Sequence, residues 1–111
     1  NIMAHQKALK RDDSLLVVID IQEKLSSIMK YREEIIANTS KMIKGCEALN
    51  VPTLLTEQYP KGLGKTEIDI LTSFGAGIAP IEKMCFSCWG ENGFIEEIRK
   101  YHRKQIILTG L

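Results

Sequence analysis

The sequence lacks several things, and each absence removes a class of function. Lys and Arg number 15 and Asp and Glu 14, a formal net charge of +1. No global field therefore points to nucleic acid, a membrane surface or a polyanionic substrate. No apolar run approaches the length of a bilayer span, and no signal-peptide pattern opens the chain. The cysteines number three, an odd count that argues against a secreted disulfide scaffold and for a reducing, cytoplasmic compartment. Internal repeats and low-complexity stretches are absent. The 111 residues suffice for one domain and not for two. Asn1 and Ile2 precede Met3, the first possible start, and read as a cloning remnant. Residues 1–12 form an exposed lead-in and 13–111 the domain.

What is present is organised around Leu15 to Gln22. Five apolar residues, Leu15 to Ile19, end abruptly on Asp20. A run apolar on both faces suits the middle of a parallel sheet covered by helices on each side. An acid at the carboxyl end of such a strand sits at the edge where α/β folds place their ligands. Local sequence alone favours a plainer role, an aspartate that turns the chain.

The rest of the pattern extends that architecture. Glu23 to Lys30, with Leu25, Ile28 and Met29, predicts a short helical turn. Ile35, Thr39, Met42, Cys46 and Leu49, widened by Ile36 and Ile43, predict an amphipathic helix over 32–49. Glu33 and Glu34 in its first turn suit the helix dipole. Asn50 and Pro52 end it. Val51 to Thr56 predicts a second strand, and 57–66 a loop punctuated by Pro60, Gly62 and Gly64. A short helix over 67–74 follows, then a weak strand within 78–84. Asn92 caps a helix bearing Phe94, Ile95, Ile98 and Tyr101. The basic residues at that helix's end read as a solvated terminus rather than a nucleic-acid patch. Gln105 to Thr109 is a further buried strand. The whole is a doubly wound α/β/α domain with a mainly parallel sheet, truncated after about four strands. Four strands with so few helices leave an edge and part of a face uncovered.

Three features could carry chemistry. Asp20 and Lys83 both fall near the carboxyl edge of their strands, where a carboxylate and an ammonium can share a proton with a third group. An ordinary ion pair closing the sheet edge fits the spacing equally. Cys85-Phe86-Ser87-Cys88 has the spacing of a redox or zinc pair, but no second ligand pair exists and His5 and His102 lie far away. Gly62-Leu63-Gly64-Lys65-Thr66 lacks the glycine spacing of a phosphate loop and reads as a flexible wall over the site.

Four motifs, in order, resemble the isochorismatase-like cysteine hydrolases. They are Val-Val-Ile-Asp-Ile-Gln at 17–22, Glu-Gln-Tyr-Pro-Lys-Gly-Leu-Gly at 57–64, Lys83 with Ser87, and the closing Ile-Leu-Thr-Gly-Leu. The 57–64 run is similar to the isochorismatase domain-containing branch. The resemblance implies a Rossmann-like sheet and an Asp–Lys–Cys triad. Asp20 would accept the thiol proton and Lys83 would help to hold the thiolate, a sound arrangement because a nearby cation lowers a thiol's pKa. It implies further that the nucleophilic cysteine comes a few residues after Thr-Gly-Leu. Cys46, Cys85 and Cys88 do not match that position, so the 111 residues alone are expected to be inert.

Gln22, Gln58 and Tyr59 lie where they could line the pocket. The metal-binding branch of the family carries histidine after its second strand, and Glu-Gln-Tyr-Pro has none, so no metal or other cofactor is expected. A small-molecule carboxamide is the expected substrate and a homo-oligomer the expected assembly. A non-catalytic oligomeric interaction module of the same fold is the alternative.

Overall fold

The computed structural model describes residues 8–84 and 92–110. The expectations for Cys85, Ser87, Cys88, Trp89 and Gly90 fall outside these residues, as does the side chain of Asn92. The sheet has four parallel strands: β1 (Ser14–Ile19), β2 (Thr53–Gln58), β3 (Ile81–Lys83) and β4 (Gln105–Gly110). Their order is β3-β2-β1-β4. The chain adds β2 and β3 on one side of β1, then crosses to place β4 on the other. That reversal makes the carboxyl ends of β1 and β4 the topological switch point, the place where such folds bind ligands.

β1 is central because its middle, Leu15 to Val18, is apolar on both faces. Leu15, Leu16, Val17 and Val18 have no exposed surface, and burying each contributes roughly 1.5–3 kcal/mol. Alternate residues feed two separate cores. Leu16 and Val18 pack with Ile36, Ile43, Cys46, Leu55, Ile70 and Phe74 on one face. Leu15 and Val17 pack with Leu54 and Phe94 on the other. The first core is covered by α2 (Arg32–Ala48) and α4 (Ile68–Leu71), the second by α5 (Asn92–Lys100). The short helices α1 (Glu23–Ser26) and α3 (Pro60–Leu63) follow β1 and β2. This is the expected three-layer α/β/α arrangement. No helix among the described residues is long and apolar enough to cross a membrane.

Several boundaries differ from the sequence reading. β2 begins at Thr53 and runs on through Glu57 and Gln58, because Pro52 has no N–H for the ladder and offers only its carbonyl, to Leu16 N. The segment after β2 thus starts at Tyr59, and it is not all loop as the sequence suggests, because Pro60–Leu63 wind into a helical turn with Pro60 at its start. The buried face of α2 is Ile36, Thr39, Ile43 and Cys46, so Met42 and Leu49 face outward. α1 stops at Ser26 and leaves Ile28 and Met29 exposed. β4 is only partly covered, with Leu108 exposed at 52%. Its outer side has no strand partner among the described residues, as the few helices and strands led one to expect.

Gly110 sets how close β4 comes to β1. It pairs with Ile19 and has φ of 143°. A Cβ there would lie 2.1 Å from the Ile19 carbonyl oxygen, an impossible approach.

Candidate active site

The carboxyl edge of the sheet gathers polar side chains that the chain keeps far apart. Thr56 and Gln58 are two residues apart on β2 and share one face of the sheet. Lys83 is the register partner of Gln58 on β3. Asp20 immediately follows β1 and has φ of 54°. A non-glycine residue in the left-handed region costs on the order of 1 kcal/mol. That turn ends the strand and brings the carboxylate to side chains of β2 and, one strand further out, β3.

There Asp20 Oδ2 accepts from Lys83 Nζ at 2.6 Å and Oδ1 accepts from the Thr56 hydroxyl at 2.8 Å. Lys83 Nζ also reaches Gln58 Oε1 at 3.4 Å, a weaker contact. The ion pair is buried, with 0% of the Lys83 side chain and 9% of the Asp20 side chain exposed. Desolvation opposes burying two charges, and close contact with further hydrogen bonds is what offsets it. Asp20 and Lys83 are thus brought together as expected, and Thr56 joins them. Thr56 carries no signal in the sequence beyond a β-branched residue in a strand.

Gln22 and Tyr59 sit differently. Gln22 is fully buried. Its Oε1 accepts from Gln58 N at 2.7 Å, and its Nε2 donates to the carbonyls of Gln58 at 2.9 Å and Gly64 at 2.7 Å. The side-chain amide acts as one more rung of backbone between β2 and the following loop. Tyr59 is 47% exposed, and its N–H donates to the Lys83 carbonyl at 2.8 Å. Its ring lies so near Gly62 that a Cβ there would come 2.3 Å from a ring carbon.

The 62–66 segment is tied to β2 and to Gln22 by side-chain hydrogen bonds. Glu57, buried on the opposite sheet face, accepts from both the backbone N–H and the hydroxyl of Thr66, at 2.8 and 2.7 Å. Gln22 holds Gly64 from the other side. Arg32 and Glu67 form a second ion pair just beyond. A groove of about 570 Å³ lined by Glu57, Lys61, Lys65, Ile78 and Glu82 lies on that side of the sheet, away from the Asp20–Lys83 pair.

Cys46 sits on the buried face of α2, where burial pushes its thiol up from the usual range. That environment keeps it protonated and inert. No group of three or more metal-ligating side chains occurs among the described residues.

The isochorismatase domain model matches residues 14–111. Isochorismatase domain-containing protein 2 of zebrafish (Danio rerio) is 34% identical over 110 residues, covering 98% of this chain and 54% of the relative. A Caenorhabditis elegans structure described as MAR1 ribonuclease is 31% identical with a TM-score of 0.78, over 94% of this chain and 53% of that one. YcaC of Escherichia coli, described as an octameric hydrolase of unknown specificity, has a TM-score of 0.80 at 20% identity over 93% of this chain and 52% of its own. YcaC of Pseudomonas aeruginosa, solved with covalent acrylamide, has a TM-score of 0.79 at 20% identity over 95% and 54%. The chain spans about half the length of these relatives. It belongs to the isochorismatase family, with the Rossmann-like α/β fold of isochorismatase-like hydrolases.

Proposed function

We propose that the intact protein is a metal-independent cysteine hydrolase acting on a small molecule, a carboxamide by preference. The observation that carries this reading is the buried contact of Asp20 with Lys83 at the carboxyl edge of β1, 2.6 Å long. Its nucleophile is a cysteine outside these 111 residues. Asp20 takes the thiol proton, and the Lys83 ammonium favours the resulting thiolate. The thiolate adds to the amide carbonyl, and the carbonyl oxygen takes the electron pair under backbone N–H donors. Collapse expels ammonia, which leaves with a proton returned from Asp20. Water then releases the acid and regenerates the thiol. Tyr59 supplies exposed aromatic surface to the substrate, while Gln22 and Gln58 hold the loop beside it.

The protein acts in the cytoplasm as a homo-oligomer, an assembly for which the octameric Escherichia coli relative gives precedent. The 111-residue chain alone is inert.

Ammonia release by the intact protein from acetamide, benzamide and nicotinamide tests the reaction. Asp20→Asn and Lys83→Ala, each folded, should lower kcat/KM by on the order of 100-fold or more. Iodoacetamide titration that finds no rapidly alkylated thiol at neutral pH in the intact protein sinks the proposal. The ribonuclease description of the nematode structure favours a second reading, RNA cleavage. Cleavage of a labelled RNA that survives Asp20→Asn would leave the buried pair with a structural role only.

A further inference from the structure

We infer that Thr56 is a positioning residue of the site, setting the face that the Asp20 carboxylate turns to Lys83; its catalytic consequence rests on the hydrolase reading above. A carboxylate on a single-bonded stem rotates, and an ammonium donates in three directions, so the pair alone does not fix which oxygen meets the cation. Here the two oxygens are divided. Oδ2 faces Lys83 Nζ and Oδ1 faces the Thr56 hydroxyl at 2.8 Å. An ionised carboxylate only accepts, so the hydroxyl must spend its single proton on Oδ1.

The Thr56 backbone holds the same residue. Its carbonyl accepts from Asp20 N at 3.3 Å, which carries the β1–β2 ladder one rung past the Ile19–Thr56 partners. Thr56 has no exposed surface, so no water competes for the hydroxyl from outside. A hydroxyl is also the donor suited to an acid that gains and loses a proton. When Asp20 is charged it donates; when Asp20 carries a proton it can rotate and accept. A valine of similar shape can do neither.

The test uses the intact protein, wild type beside Thr56→Val and Thr56→Ser, at neutral pH. Two readouts are taken: the Asp20 carboxyl ¹³C and Lys83 ammonium ¹⁵N resonances, and the rate of thiol alkylation by iodoacetamide. Thr56→Val should displace both resonances and slow alkylation by on the order of 10- to 100-fold, while Thr56→Ser keeps wild-type resonances and stays within about threefold in rate. A folded Thr56→Val with unmoved resonances overturns the inference. If Thr56→Val does not fold, the wild-type hydroxyl proton decides: slow exchange with solvent upholds the bond to Asp20, and free exchange overturns it. Resonances that move in a protein with no reactive thiol uphold the positioning of Asp20 and sink the hydrolase reading instead.

Discussion

Lys83–Asp20 and Lys100–Glu97 are ion pairs of the same length, 2.6 Å, in opposite surroundings. The first has 0% and 9% of its side chains exposed, the second 67% and 36%. Lys100–Glu97 joins neighbouring turns of one helix, where water and salt can replace either partner. Lys83–Asp20 joins β3 to the end of β1 in the interior, where water and salt do not take either partner's place. Distance alone therefore says little about what a pair does. Burial decides whether losing one partner matters.

The largest expected effect follows from that. Lys83→Met leaves the Asp20 carboxylate buried without its cation and should lower unfolding free energy by about 3–5 kcal/mol, read from urea midpoints. A loss comparable to an exposed pair would break the comparison. The double variant Lys83→Met, Asp20→Asn should recover part of the loss, because the stranded charge is gone.

Arg32–Glu67 supplies the intermediate case, with 41% and 8% of the side chains exposed. Glu67→Gln should cost about 1–2 kcal/mol by the same measurement. A value outside the bounds set by the other two pairs would show that burial is not the ordering variable.

Cys46 extends the contrast to a neutral buried group. Burial raises its thiol pKa in the folded chain above the ordinary value of 9.0. The unfolded chain therefore ionises first as pH rises. The contribution is fully present below pH 9.0 and is lost as pH climbs through the higher folded value. Cys46→Ala should remove this alkaline component, so that the wild-type urea midpoint falls more between pH 8 and alkaline pH than the variant's.

The smallest effect belongs to Lys100. The hydrogen bond and charge of Glu97 raise its pKa above 10.5, so whatever it contributes is complete below pH 10.5 and disappears as pH rises through the folded value. Lys100→Ala should leave the thermal midpoint unmoved within error at neutral pH, and added salt should erase any residue of the pair.

The degree to which these features could be read from the chain follows how local their causes are. β1 was legible because Leu15 to Val18 are apolar without alternation, which only a strand covered on both faces tolerates. α2 was legible in extent but not in rotation. Its pattern admits stripes centred on either side of Ile35 and Ile36, and only packing against β1 and α4 selected Ile36, Thr39, Ile43 and Cys46. The end of β2 is hidden in the sequence, because Glu57 and Gln58 look like loop residues. Thr66 and Gln22 satisfy them in the strand, and those partners lie 9 and 36 positions away.

The sequence by itself determined the four strands and the main helices, the two-sided core strand, and the placement of one acid and one lysine at strand ends, but not the helical turn Pro60–Leu63. Those follow from side-chain polarity and backbone preference, which act over a few residues. Only the tertiary structure decided that Asp20, Thr56 and Lys83 meet. They are separated by 36 and 63 positions from Asp20, and their contact depends on strand order, parallel register and the left-handed turn at Asp20. Register is set by the packing of whole strands against both layers of helices, a sum over contacts that no single residue records.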